Sequence, residues 1–150
     1  MALVGGANET YEEWAGRDWG APDPARERLH WRSTIDDDEA CAAVAERDRR
    51  LVGSTSFPSV DCRVGGADLS RRFVDPEAWR AGIGTVLLGE AIAEMTRRDF
   101  KWAELYAPSL NDDARPFYDS QGWRAGSQTR DWHGLTLIRY SLDLAIRSPA

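Results

Sequence analysis

Apolar residues follow two rhythms along this chain, and the switches between them mark its elements. Ile83, Leu87, Ala91 and Met95 recur at every fourth position, with Leu88 and Ile92 beside them. Glu90, Glu94, Arg97 and Arg98 lie elsewhere around the turn, so the spacing predicts an amphipathic helix from Ile83 to about Arg98, lying on a sheet. Ahead of it the pattern is extended. Cys41 to Glu46 and Leu51 to Phe57 read as a hairpin around the polar turn Arg47 to Arg50, and Ala67 to Val74 as a third strand after a loop over Pro58 to Gly66. Beyond the helix, Trp102 to Ala107 is the next strand. Asn111 to Gln121 is a helix carrying Ala114, Phe117 and Tyr118, with Gly122 as its C-terminal cap and Pro116 drawing its start inward. Trp123 to Ala125 reads as a short strand, 126–134 as a loop, and Leu135 to Leu144 as a long last strand. At the front, residues 2–4 suggest a short strand. Asn8 or Thr10 suits a helix cap ahead of Tyr11, Trp14 and Ala15, and Gly20 to Pro24 breaks that helix. Pro24 opens a second helix with Leu29, Trp31 and Ile35 as apolar positions. Asp36 to Glu39 reads as a solvated turn. The order αα, βββ, α, β, α, ββ predicts an α/β (α+β) fold with a mixed, mostly antiparallel central sheet flanked by helices.

Composition narrows the function. The chain has 150 residues, 42% hydrophobic and 29% charged, so one domain spanning 1–150 is expected. A net charge of −6 disfavours a nucleic-acid partner and is compatible with a cationic small substrate. Cys41 and Cys62 have no metal or redox spacing, so no metal and a reduced cytoplasmic setting are expected. The first residues lack the basic region of a signal peptide, and no apolar run reaches membrane-spanning length.

The segment Phe73 to Leu88 carries the chemistry. An apolar strand end, Phe73-Val74, runs through Pro76 into Gly82-Ile83-Gly84 and then the helix. Glycines let a ligand approach the backbone, and a helix begins with free N–H groups and the positive end of its dipole. That is an anion site suited to a pyrophosphate. A dinucleotide fingerprint would need glycine where Leu87 stands, and a Walker loop would need Gly-Lys-Ser/Thr, which does not occur.

Trp79-Arg-Ala-Gly-Ile-Gly-Thr-Val-Leu-Leu resembles the acetyl-CoA loop Arg/Gln-x-x-Gly-x-Gly/Ala of the GCN5-related N-acetyltransferases. Asn111-Asp-Asp-Ala-Arg-Pro-Phe-Tyr-Asp-Ser-Gln-Gly-Trp resembles the later motif Asn-x-x-Ala-x-x-Phe-Tyr-x-x-x-Gly-Phe/Trp of the same superfamily. The resemblance covers about residues 41–143. Two positions depart from it. Trp79 replaces the usual Arg or Gln, with Arg80 one place later as a substitute charge, and Arg72 occupies a strand position that is usually apolar.

The resemblance implies acetyl-CoA as cofactor and transfer of its acetyl group to a primary amine of a small molecule, directly within a ternary complex. Main-chain groups at Phe73 and Val74 would hold the pantetheine arm as an added strand, and one N–H there would polarise the thioester carbonyl. The loop Trp79, Arg80 and Ala81, with Gly82, Ile83, Gly84 and Thr85, would hold the pyrophosphate. Asn111 would contact the arm, and Tyr118 would protonate the departing thiolate. Asp68, six residues before Val74, is the candidate base. At pH 7 a lysine-like amine costs roughly 4 to 5 kcal/mol to neutralise and an α-amine only about 1, so a base matters more for the former. His30 and His133 are weaker candidates. Tyr11, Trp14, Trp19, Trp31 and Trp132 fall in the regions that shape the acceptor pocket. No cysteine beside the carbonyl site suggests a covalent acetyl-enzyme. Alternatives are a protein N-terminus or lysine as acceptor, a charged tRNA, which the acidic balance disfavours, and a non-catalytic acyl-CoA-binding module. A homodimer is compatible with the resemblance.

Overall fold

The computed structural model describes residues 23–38, 40–57 and 65–147. The expected strand at 2–4, the helix after Asn8 or Thr10, the aromatics Tyr11, Trp14 and Trp19, and Cys62 lie outside them.

Helix α1 (Pro24–Asp36) starts where proline predicts it, with Asp23 accepting a hydrogen bond from the Ala25 N–H at 3.0 Å. Its expected apolar positions do not turn inward together. Leu29 and Ile35 are 67% and 70% exposed, Trp31 is half-buried, and the buried residue is Glu27. Leu29 and Trp31 are about 200° apart at 100° per residue, so they never formed one stripe, whereas Glu27 and Trp31 share a face.

Strands β1 (Cys41–Arg47) and β2 (Arg50–Phe57) form the expected hairpin. Its two turn residues, Asp48 and Arg49, have φ of 52° and 62°, which matches the right-handed twist of the flanking strands. The third expected strand is two. β3 (Gly66–Asp68) pairs in parallel with β5 (Trp102–Pro108), from Gly66 opposite Trp102 to Asp68 opposite Glu104. The Leu69 N–H then donates to the Glu104 carbonyl at 2.9 Å, and β4 (Ser70–Val74) leaves to pair antiparallel with β2. The described strands therefore form two sheets, β1-β2-β4 and β3-β5-β7-β6, that part company at Leu69.

Helix α2 (Ile83–Arg97) buries Leu87, Leu88, Ala91 and Met95, the face its periodicity predicts. It approaches β2 where Gly53 lies. A Cβ there would stand 2.6 Å from Leu87 Cδ1, so only glycine leaves this room. Helix α3 (Ala114–Ser120) is shorter than its sequence pattern, because Asn111 is used as a cap: its Oδ1 accepts from the Ala114 N–H at 3.1 Å.

The loop expected at 126–134 is wrong. Strand β6 runs Arg124–Trp132 and turns through His133 and Gly134, with φ of 50° and 83°, into β7 (Leu135–Asp143). β6 is a sheet edge whose residues up to Asp131 are all exposed, so no buried face forces an apolar alternation onto its sequence. The core joins Phe57, Leu69, Leu105, Trp123 and Tyr140 to the buried face of α2.

Candidate functional site

Because β4 pairs with β2 and only the first half of β5 pairs with β3, an open seam separates β4 from the second half of β5. The Asp75 N–H donates to the Val52 carbonyl at 2.8 Å, and Val74 lies opposite Gly53. Successive strand residues aim their polar groups at opposite edges, so the Val74 N–H and C=O face the seam. Its carbonyl accepts a hydrogen bond from Trp79 Nε1 at 3.0 Å, which gives that half-exposed tryptophan a definite task.

The chain beyond β4 is a nest of backbone donors. Asp75 caps a short 3-10 turn over Pro76–Ala78. Arg80 and Gly82 then take φ of 63° and 79°, and α2 begins at Ile83. The first N–H to bond within the helix is that of Val86, to the Gly82 carbonyl at 3.1 Å. No side chain caps the helix start and no acidic residue occupies its first turn. The N–H groups of Ile83, Gly84 and Thr85 are therefore presented to an anion with the helix dipole behind them.

A cavity of about 810 Å³ runs from this nest along the seam. Phe73, Val74, Trp79, Arg80, Gly82, Ile83, Gly84, Thr85, Asn111 and Tyr118, all named from sequence, line it; Ala81 does not. Phe117 lines it too, and its ring would lie 3.6 Å from a Cβ at Gly84. Two further observations suit a long polar ligand. Thr55 lines the cavity, and its Oγ1 is buried without a hydrogen-bond partner. Asn111 commits its side-chain oxygen to the α3 cap, which leaves its –NH2 for a ligand. Among the described residues no cysteine lines this cavity. Cys41 packs at the core margin, where burial pushes its thiol up from the ordinary value and the nearby Glu94 carboxylate adds to the shift.

Tyr118 is 7% exposed and packs against Phe117, Trp123 and Tyr140. It is thus both a core aromatic and a cavity wall. Its hydroxyl oxygen accepts a hydrogen bond from Arg72 Nε at 2.9 Å. Arg72, the unexpected charge in β4, also donates to the Tyr106 carbonyl at 2.7 Å and to the Leu69 carbonyl. One guanidinium therefore clamps both sides of the seam and fixes the Tyr118 oxygen. The sequence flagged Arg72 only as a departure, since nothing local shows which partners it meets 34 and 46 residues away.

Asp68 does not reach this cavity. It lines a second one, of about 100 Å³, with Ser70, Tyr106, Arg130 and Trp132. Arg72, Phe73 and Pro108 line both and so form the wall between them. On the same face of β5, Glu104 pairs with Arg139 at 2.6 Å, the two side chains 12% and 21% exposed. His133 is exposed in the β6–β7 turn, and neither it nor His30 lines either cavity. Among the described residues no group of side chains could hold a metal ion, and no helix is long and apolar enough to cross a membrane.

Comparison with known proteins agrees with this geometry. The model of the acetyltransferase (GNAT) family matches residues 8–123. Among solved structures, the chain is similar to an N-acetyltransferase from Staphylococcus aureus Mu50, with 21% identity, 95% of this chain and 91% of the other covered, and a TM-score of 0.75. It is similar to a ribosomal-protein-alanine N-acetyltransferase from Brucella melitensis, with 24% identity, coverage of 95% and 92%, and a TM-score of 0.73. An aminoglycoside 6'-N-acetyltransferase complexed with coenzyme A follows at 16% identity, coverage of 95% and 88%, and a TM-score of 0.69. At these identities the likeness shows the fold. A comparison with the curated proteins finds no match.

Proposed function

The chain belongs to the GNAT acetyltransferase family, and on that premise we propose that it is an acetyl-CoA-dependent N-acetyltransferase acting on a primary amine of a small molecule, by direct transfer in a ternary complex. The observation that carries this reading is the continuity of one cavity from the uncapped N-terminus of α2, along the Val74 edge, to the Tyr118 hydroxyl.

Acetyl-CoA would supply the acetyl group, its C–S bond breaking as the C–N bond to the amine forms, with the coenzyme A thiolate as leaving group. The N–H groups of Ile83, Gly84 and Thr85 receive the pyrophosphate, with Arg80 beside them. The Val74 N–H, directed into the seam, polarises a carbonyl oxygen as it gains charge. Arg72 holds the Tyr118 oxygen as an acceptor, so the phenol proton is free to turn towards the sulfur. Asp68 lines the neighbouring cavity, so it takes the proton that the attacking amine gives up through intervening water rather than by direct contact. The amine loses one proton to Asp68 and the thiolate gains one from Tyr118, and exchange with solvent afterwards returns Asp68 to the carboxylate and Tyr118 to the phenol. Among the described residues no cysteine lines the cavity, which favours direct transfer over an acetylated enzyme.

Calorimetry with acetyl-CoA tests the cofactor assignment, and free-thiol release across an amine panel tests the reaction. Binding in the micromolar range together with turnover of small amines is expected. Binding without turnover of any amine or peptide would leave an acyl-CoA-binding module. Turnover of peptide N-termini or lysines alone would move the acceptor to proteins.

A further inference from the structure

The smaller cavity has a charge pattern at odds with the chain as a whole. The protein carries a net charge of −6, yet this cavity is lined by two guanidinium groups, Arg72 and Arg130, and one carboxylate, Asp68. The bonds of Arg72 all go to neutral acceptors, the Tyr118 hydroxyl and the Leu69 and Tyr106 carbonyls. Arg130 lies on the exposed edge strand β6, and its guanidinium stacks over the Tyr106 ring with Cζ 4.0 Å from the centroid. Among the described residues neither arginine has a carboxylate in ion-pair range.

The Tyr106 ring lies against one face of the Arg130 guanidinium, and among the described residues no hydrogen bond engages its N–H groups. A planar fork of donors held in that way matches a carboxylate in bidentate geometry better than any other small anion of one charge. Asp68 stands in the same cavity, behind the wall shared with the Tyr118 side. A volume of about 100 Å³ equals roughly three water molecules. It admits the head of a ligand, an amine and an acid joined by a carbon or two, and leaves the remainder outside against Trp132.

We propose that this cavity selects an acceptor bearing a carboxylate near its amine, an amino-acid-like substrate, with Arg130 holding the acid and the amine directed to Asp68 and the seam. The inference rests on the acetyl-transfer reading and narrows it. A polycation, which the overall charge of the protein would attract, is the wrong ligand for this cavity.

The test uses matched pairs: an amino acid, its carboxamide, and the amine lacking the acid, each assayed by thiol release, with acetyl-CoA binding measured separately by calorimetry. The amine beside a carboxylate has a higher pKa than the amine beside a carboxamide, so reactivity alone favours the carboxamide and a preference for the acid over it must come from the protein. We expect kcat/KM to favour the acid by at least about tenfold, the worth of one charge-assisted hydrogen bond. Arg130→Gln reduces that preference to under about twofold, and Arg130→Lys retains part of it. Both replacements are on an exposed edge strand and leave the core intact. Equal turnover of acid, carboxamide and plain amine overturns the proposal and leaves the acetyl-transfer reading standing. So does a preference for the acid that survives in Arg130→Gln, or acetyl-CoA binding with no turnover of any amino acid. Failure to bind acetyl-CoA overturns both.

Discussion

Arg72 joins the two halves of the seam, and its removal separates a catalytic from a structural account. Arg72→Met keeps most of the apolar stem and deletes the guanidinium. Two carbonyls, of Leu69 and Tyr106, lose their donor, and the Tyr118 hydroxyl loses the bond that orients it. The carbonyls border open cavities where water can replace the guanidinium, so the stability cost is about 1–2 kcal/mol, or a fall in Tm of several degrees for a chain of this length. The cost to kcat is separate. A hydrogen bond from a charged donor contributes about 1.5–3 kcal/mol. If it acts in the step that protonates the thiolate, kcat falls roughly 10- to 150-fold while KM for acetyl-CoA changes far less.

A double-mutant cycle with Tyr118→Phe decides the matter. The phenylalanine keeps the ring packing against Trp123 and Tyr140 but has no oxygen for Arg72 to hold. If Arg72 acts through Tyr118, its replacement in the Tyr118→Phe background costs little further activity, and the coupling in kcat exceeds about 1 kcal/mol. Effects that add within about 0.5 kcal/mol, the range for independent sites, would refute the reasoning and make Arg72 a strand clamp alone.

Three other expectations follow from the same geometry. Gly82→Ala meets nothing within 4 Å but must hold φ near 79°, so it costs about 1–2 kcal/mol of stability and weakens acetyl-CoA binding, whereas Arg80→Gly relieves a φ of 63° and raises stability by up to about 1 kcal/mol while losing a cation beside the nest; thermal melts and calorimetry on both variants check the opposite signs. Gly53→Val drives a side chain against Leu87 and Ile83 and costs about 1–3 kcal/mol in urea denaturation. The Arg97 and Arg98 side chains, hydrogen-bonded to Glu94, hold its carboxyl below the ordinary value. A depressed pKa adds stability above the unfolded value near 4.3 that is lost as pH falls through the folded one, so Glu94→Gln destabilises at pH 7 and the difference from the parent shrinks as pH falls below about 4.3.

The cavity along the seam was legible because its parts are local. A turn, two glycines and a helix start are consecutive residues, and the later motif places Asn111 and Tyr118 within one turn-and-helix unit. The second cavity was not, because Asp68, Tyr106, Arg130 and Trp132 come from three strands whose neighbours are set by pairing alone. Arg130 in particular fell inside a segment read as loop. The one local sign of β6 was His133-Gly134, a two-residue turn with both φ positive between Trp132 and Leu135. The split at Leu69 was likewise invisible, since Ala67 to Val74 has no break in composition and only the partners of its two halves differ.

That split explains why a guanidinium stands at the centre of this fold. Two strand edges that face each other unpaired expose carbonyls and N–H groups, and such groups are costly to leave unmet. Proline at position 108 removes one donor from the β5 edge. Arg72 satisfies the Tyr106 carbonyl and Trp79 the Val74 carbonyl. Both residues depart from the family pattern, and both are spent on the same seam. Arg72 reaches it from within β4 and Trp79 from the turn beyond, so the two replacements serve one structural end. The Val74 N–H still faces the opening, on the path from the α2 nest to Tyr118. A carbonyl oxygen that entered there would meet a donor already aimed at it, with the Val74 and Tyr106 carbonyls already occupied.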